Sequence, residues 1–335
     1  MVDFLPILWY FILVLSITPF IILDGADLGI GLLSINVRES RRSAMLAAIG
    51  PTWYANETWL VVAGATLFGA FPVAYGVILS SLYIPVIALL IGLIVRAVSI
   101  EFRVHSERKR FWGAAFGSGC LLAIIGQGFI FGGLFSNLKI QSAIFTGGPW
   151  DWLNPVSVLI AVGVVAAYSM IGAAQLVRKT EGAIQVQGRR LLTGSTSVAL
   201  ALFVAVIAVV LTGHAPVSII WAKPPQVYLI PLFSLIAILG FIMVLISSAR
   251  TKSIASYIWT IVIFIAAAII VISIIYPYFI PVSLSITEAA SPRSSLIFMI
   301  LGAGIILPII IFYNIYVHRV FERKGYNSGQ KEEYP

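Results

Sequence analysis

The sequence predicts an all-α, polytopic membrane protein, and three observations carry that prediction. Of the 335 residues, 60% are hydrophobic and only 10% charged. The apolar residues gather in repeated runs of about 20, the length that crosses a hydrocarbon core. Most charged residues fall between these runs rather than within them. Little chain is left for a soluble domain, so residues 1–324 are expected to form a single transmembrane domain and residues 325–335 a short polar cytoplasmic tail.

Nine runs are expected, at residues 4–33, 44–71, 75–98, 112–136, 155–177, 191–212, 227–248, 256–276 and 294–317. The first is too long for a simple crossing: about 30 residues at about 1.5 Å each reach about 45 Å, against roughly 30 Å of hydrocarbon. Its last part, DGADLGIGLL, is therefore expected at or near the cytoplasmic side. Pro19 in the first run, Pro85 in the third and Pro308 in the ninth lack a backbone donor and are candidate kinks. The fourth run carries Gly113, Gly117, Gly128 and Gly132 in two GxxxG pairs, read as close helix packing. The outer loops GGPWDWLNP (147–155) and WAKPPQ (221–226) place Trp150, Trp152 and Trp221 where rings anchor at a membrane interface.

A net charge of +8 would suggest nucleic acid in a soluble protein, but here the charges sort by loop. With the N-terminus outside, only Lys139, Lys223 and Arg293 of the 21 Lys and Arg residues lie outside. The positive-inside rule then predicts an N-out, C-in topology and no role in nucleic-acid binding. The N-terminal Met-Val-Asp has no basic segment, so no cleaved signal peptide is expected. The single Cys120 excludes an intrachain disulfide and any cysteine cluster for zinc or iron–sulfur.

The second run holds the chemistry. Trp53, Asn56, Glu57, Leu60 and Gly64 share one helical face. An ionised acid at mid-membrane costs roughly 2.5 to 3.5 kcal/mol, so such groups usually face a bundle interior or a water-filled cavity, with a partner. Glu57 reads either as such a paired group or as a neutral, hydrogen-bonded acid in a packed core. Ala63, Ala65, Gly69 and Ala70 allow a neighbouring helix to approach closely.

Asp24 and Asp27 share a face of the first run and, with Glu57, lie in the inner half of the membrane. Neighbouring buried carboxylates suit a proton relay, and structural hydrogen bonding is the alternative. Asp24 is the deeper; Asp27 also reads as a solvated residue near the inner interface. In RAVSIEFR, Glu101 and Arg103 follow Arg96 and read as snorkelling side chains, or, for Glu101, as the point where protons enter.

His105, His214 and His318 fall in loops or at span ends, so none is placed to ligate a haem between helices. With no Walker-type loop, no GxGxxG, no HExxH and no Ser/His/Asp arrangement, no catalytic or metal site is expected within this chain. Intramembrane acids leave a secondary transporter as the alternative, although no internal repeat is legible.

The segments LDGADLGIG (23–31), GPTWYANETWLVVAGATLFGAFP (50–72), RAVSIEFR (96–103), GGPWDWLNP (147–155), AAYSMIGAAQLVRKTEG (166–182) and YPYFIPVSLSITEAASPRSSLIFM (276–299), in this order, resemble subunit II of cytochrome bd-type quinol oxidases. The resemblance implies nine helices, as two four-helix bundles plus a peripheral helix. It implies a partner, subunit I, that holds b-type and d-type haems and the quinol site, with none bound by this chain. A small single-helix subunit, quinone or quinol, and membrane lipid are the further partners it implies, in the cell membrane of a prokaryote. The implied reaction oxidises quinol and reduces dioxygen to water, with protons drawn from the cytoplasm.

By the same resemblance Asp24 matches the first acid of the family's DGxDLG segment, and Trp59 a tryptophan near an oxygen channel. One departure bears on the proton pathway: where the family reads W-D-G-N, this chain reads Trp53, Tyr54, Ala55, Asn56. Tyrosine, with an ordinary pKa of about 10, passes a hydrogen bond but does not replace a carboxylate at neutral pH. The pathway expected here comprises Asp24, Asp27, Tyr54, Asn56 and Glu57, with Glu57 the carboxylate nearest to Tyr54.

Overall fold

The computed structural model describes residues 4–50, 52–136, 138–211, 224–248, 254–281 and 283–321. The expectations at His214, at Trp221 and for the tail 325–335 lie outside the described residues. Among the described residues, eight helices are long and apolar enough to cross a membrane, or up to nine when a bent pair is counted as one span.

Phe4–Leu33 is one long span in three parts: α1 (Phe4–Pro19), a π-helical turn (Phe20–Asp24) and α2 (Gly25–Leu33). Pro19 has no N–H for the α-helical ladder, and the chain widens into the π turn directly after it. Every residue of α2 from Gly25 to Gly31 is buried by protein. A short α3 (Glu39–Ala47) follows, and Arg42 from it donates to the carbonyls of Ser34 at 3.1 Å and Ile35 at 3.0 Å, closing the C-terminal end of α2.

The next stretch corrects the expected third run. Helix α4 (Thr52–Ala70) turns through 115° into α5 (Pro72–Ser81), and only then does α6 (Tyr83–His105) begin. The bend has a local cause: Phe71 leaves helical geometry at φ −136°, and Pro72 opens α5 at a position where its missing N–H costs nothing. Pro85 consequently sits in the first turn of α6 and marks a start, not a kink. The carbonyls of Gly69 and Ala70 at the end of α4 accept from the Ser291 hydroxyl (2.7 Å) and N–H (2.8 Å).

Helices α7 (Lys109–Leu134) and α8 (Pro155–Lys179) flank α2. They are followed by α9 (Gly182–Leu211), α10 (Gln226–Ser248), α11 (Ala255–Ile275), the single turn α12 (Ile286–Ala289) and α13 (Arg293–Phe321). The strand pairs β1 (Ile140–Gln141) with β2 (Ile144–Phe145), and β3 (Tyr278–Ile280) with β4 (Leu284–Ser285), are short antiparallel hairpins between helices. The long helices form two groups joined across α2, α7 and α8: α1/α2, α4, α6 and α7 in one, α8 to α11 in the other. Helix α13 is peripheral, burying only Leu296, Asn314 and Val317.

The glycines of α7 do what the paired spacing suggests. A Cβ at Gly128 or Gly132 would lie 2.6 Å from the α8 backbone at Ala161 or Ser157, and one at Gly117 would lie 3.1 Å from the Gly31 carbonyl of α2. Two other expectations change. Of the small residues of α4, Ala65 faces outward rather than toward a neighbouring helix, and Trp152 is buried against Phe129 while Trp150 is the exposed ring.

Candidate functional site

Charged side chains converge where α4, α6 and the π turn meet. Arg96 of α6 is only 2% exposed; its Nη1 donates to Asp24 Oδ1 at 2.6 Å and its Nη2 to a carboxylate oxygen of Glu57. Asp24, wholly buried, is the last residue of the π turn, and Glu57 of α4 is 28% exposed. The guanidinium lies 5.8 Å from the centre of the Trp53 ring. A planar fork suits this position because its two ends answer carboxylates carried by two different segments.

Asp27 extends the group along α2. It is buried, contrary to the solvated reading, and its Oδ2 accepts from Asn56 Nδ2 at 2.7 Å. Asp27, Ile49, Trp53, Arg96, Ile100 and Phe116 line a narrow gap beside the group, with no room for a water molecule. Asp24 Oδ2 and Asn56 Oδ1 are buried and have no hydrogen-bond partner. Three carboxyl groups face one guanidinium, with Lys179 of α8 also acting on Asp27, so one negative charge would still be left uncompensated if all three were ionised.

Toward the surface, Tyr54 is 52% exposed and donates its hydroxyl to the Glu101 carboxylate. Helices α4 and α6 are thus bridged twice, by Glu57–Arg96 and by Tyr54–Glu101. Arg103 pairs with Glu39 of α3, which also holds Arg42 at 2.9 Å. Trp59 is not part of this group. It is buried on the side of α4 that meets α13, and its Nε1 donates to Asn314 Oδ1 at 3.1 Å.

The structure therefore brings together Asp24, Glu57, Asp27 with Asn56, and Tyr54 with Glu101, and separates Trp59 from them. The residue that sequence reasoning missed is Arg96, read as one of the snorkelling cations at a span end. Its signal was present as the lone cation in the apolar stretch LLIGLIVRAVSI, opposite an acid known to need a partner.

Among the described residues no group of three or more His, Cys, Asp or Glu side chains is placed to hold a metal. His105 ends α6, and His318 lies in the last turn of α13 with Nδ1 2.9 Å from the Asn314 carbonyl oxygen.

Comparison with known proteins gives a consistent picture. The family model described as cytochrome bd terminal oxidase subunit II matches residues 5–321. The cytochrome bd-I ubiquinol oxidase subunit 2 of Escherichia coli K12 is 29% identical over 201 residues, covering 56% of this chain and 53% of that one. The cytochrome bd ubiquinol oxidase subunit 2 of Bacillus subtilis 168 is 30% identical over 207 residues, covering 60% of each. The chain thus aligns with roughly half to three fifths of these curated relatives. The solved bd oxidase from Geobacillus thermodenitrificans superposes with a TM-score of 0.78 at 18% identity, covering 95% of this chain and 99% of the matched one, a likeness of fold.

Proposed function

The chain belongs to the cytochrome bd terminal oxidase subunit II family, and on that premise we propose that it is the haem-free subunit of a quinol:dioxygen oxidoreductase in a prokaryotic cell membrane. Its partner is a haem-bearing subunit I that carries the b-type and d-type haems and the quinol site; a small single-helix subunit and membrane lipid complete the assembly. When bound in that partner, the haems supply the electron transfer and oxygen reduction. This chain's own residues supply protons and hold the partner in place. The transporter alternative has no support from the relatives.

The observation that carries the proton role is the buried Asp24–Arg96–Glu57 group. A guanidinium between two acids keeps charge inside the membrane at a tolerable cost, and the uncompensated carboxylate charge is balanced most compactly by protons. Asp27, with Asn56, stands next along the inner part of the same group, and Tyr54 with Glu101 forms its exposed end, where protons enter. In this reading the Tyr54 hydroxyl hands a hydrogen bond to Glu101, and Glu57 is the carboxylate that takes the place of the family's aspartate. Trp59, buried beside α13, lines an oxygen path.

The half-exposed edge bearing Glu57 and Tyr54 also carries Val61 and Phe68 of α4 and Ile94 and Phe102 of α6, all exposed. An acid in such a setting does not belong against lipid, so this edge is covered by the partner subunit. The test is purification through a tag on this chain, with an optical spectrum and quinol-driven oxygen consumption measured on the product. A two-chain complex with haem bands and quinol oxidase activity is expected. A haem-free product with no quinol oxidase activity would overturn the proposal.

A further inference from the structure

At the end of the molecule that collects its basic residues, α3 lies against the start of α9, and a hydrogen bond from Arg41 Nη1 to Gln187 Oε1 at 3.3 Å joins the two helices. Arg38 stands three residues before Arg41, its carbonyl accepting from the Arg41 N–H at 3.0 Å, and Arg190 stands three residues after Gln187. Residues so spaced on a helix are neighbours, with Cβ atoms about 5 to 6 Å apart. Three guanidinium groups, those of Arg38, Arg41 and Arg190, thus gather at one junction, and all three residues are exposed.

Basic residues at one end of a membrane protein are ordinary. What sets these three apart is that no acid answers them. Glu39, the carboxylate of α3, is turned to Arg42 and Arg103. Glu181 stands six residues before Gln187, about 9 Å along the helix. Among the described residues, none of Arg38, Arg41 and Arg190 has a carboxylate within ion-pair distance. Arg189 lies on another face of α9 and is held by Gln185 Oε1 at 3.1 Å. Beyond Arg190 no charged residue follows in α9, and its outward side is apolar, with Val198 53% and Val204 49% exposed and Gly194 and Ala201 exposed on the same side.

We propose that this junction binds the headgroup of an anionic phospholipid whose acyl chains run along the outward face of α9. The chemistry fits at both ends. Planar guanidinium forks match phosphate oxygens, and the Gln187 amide, already drawn to Arg41, has N–H groups to give them. The apolar side of α9 suits the chains. Inorganic phosphate would use the cations and leave the apolar face unused, so it is the poorer occupant. The site stands apart from the proton role: among the described residues no hydrogen bond or ion pair joins Arg38, Arg41 or Arg190 to Asp24, Arg96 or Glu57.

The experiment is native mass spectrometry of the assembled complex, delipidated in detergent and titrated with phosphatidylglycerol or with zwitterionic phosphatidylethanolamine. The wild type is expected to bind phosphatidylglycerol roughly tenfold more tightly or better. One cation near an anionic membrane surface is worth about fivefold in affinity, so Arg190→Gln is expected to weaken phosphatidylglycerol binding about fivefold. The triple variant Arg38→Gln, Arg41→Gln, Arg190→Gln is expected to weaken it about a hundredfold, with phosphatidylethanolamine binding unchanged. If the triple variant does not assemble, the single one decides. Arg108→Gln with Arg110→Gln removes two exposed cations from the start of α7 and is expected to change binding little. A loss as large as that of the triple variant would mean diffuse attraction to the whole end of the molecule and overturn the site. Equal affinity for the two lipids would overturn it too, leaving the acyl chains alone as the cause. Displacement of bound phosphatidylglycerol by millimolar inorganic phosphate would give the junction to a free anion instead.

Discussion

Arg96 carries the charge balance of the site through two hydrogen bonds to acids from two different segments. Removing a buried cation strands its partners, which typically costs about 3 to 5 kcal/mol. Arg96→Leu is therefore expected to lower the thermal stability of the complex or prevent its assembly, and a variant as stable as wild type would contradict the pairing. Arg96→Lys keeps the charge but replaces the fork with a single point, so it is expected to assemble yet lose one of the two contacts, with an intermediate effect on rate. Tyr54→Phe is expected to slow oxygen consumption less than Glu57→Gln does, because it removes only the hydroxyl given to Glu101. The need of Glu57 for a partner was legible because an acid inside an apolar run is costly. The identity of the partner was not, because the third run was expected to end at residue 98. With α6 running to His105, Arg96 lies about 14 Å from the C-terminal end of the helix, too deep to snorkel easily.

Helices in this chain meet backbone to backbone where glycines face each other, and the tightest such place is α2 against α8. A Cβ at Gly29 would fall 1.9 Å from the Tyr168 carbonyl oxygen, and one at Gly172 would fall 2.4 Å from the Gly29 carbonyl carbon. Gly29→Val is expected to destabilise by at least about 1 to 3 kcal/mol, read by thermal unfolding in detergent, and Gly64→Ala, which meets nothing within 4 Å, by far less. Equal stability of the two variants would contradict the packing. At the β3–β4 hairpin, the hydroxyl and N–H of Ser285 hold the Glu288 carboxyl below its usual range by bonding its ionised form. That contribution is fully present above the ordinary carboxylate range and is lost as pH falls through the lowered value. The protection of the Ser285 amide, its exchange rate compared with that of an unstructured amide at the same pH, is expected to hold near neutral pH and to be lost in acid, a loss that Glu288→Ala would already show at neutral pH. The glycine pairs of α7 were legible from spacing alone. The break at Phe71 was written in the sequence as A-F-P, but the apolar character runs through it unbroken, so hydropathy placed the third run too early. The π turn after Pro19 was legible only as a candidate kink, since sequence shows the missing donor but not how the chain absorbs it.

Across the whole molecule, the count of spans was legible because membrane length and loop charge are properties of composition, whereas the grouping into two bundles came from the family resemblance. The expected orientation is testable directly: Lys331→Cys is expected to resist a membrane-impermeant thiol reagent applied outside intact cells, and ready labelling from that side would reverse the topology. What the fold achieves at this scale is to set three acids and one arginine from the π turn, α2, α4 and α6 around one point inside an apolar body. The measurement that bears most directly on the proposed role of that point is quinol-driven oxygen consumption by the assembled complex carrying Glu57→Gln, a change that keeps shape and hydrogen bonding while removing the exchangeable charge. An intact haem spectrum with a clearly reduced rate, partly restored by adding Tyr54→Asp, is the predicted result. Full activity of Glu57→Gln in assembled complex would contradict the proton role and leave Asp24, Arg96 and Glu57 as structural.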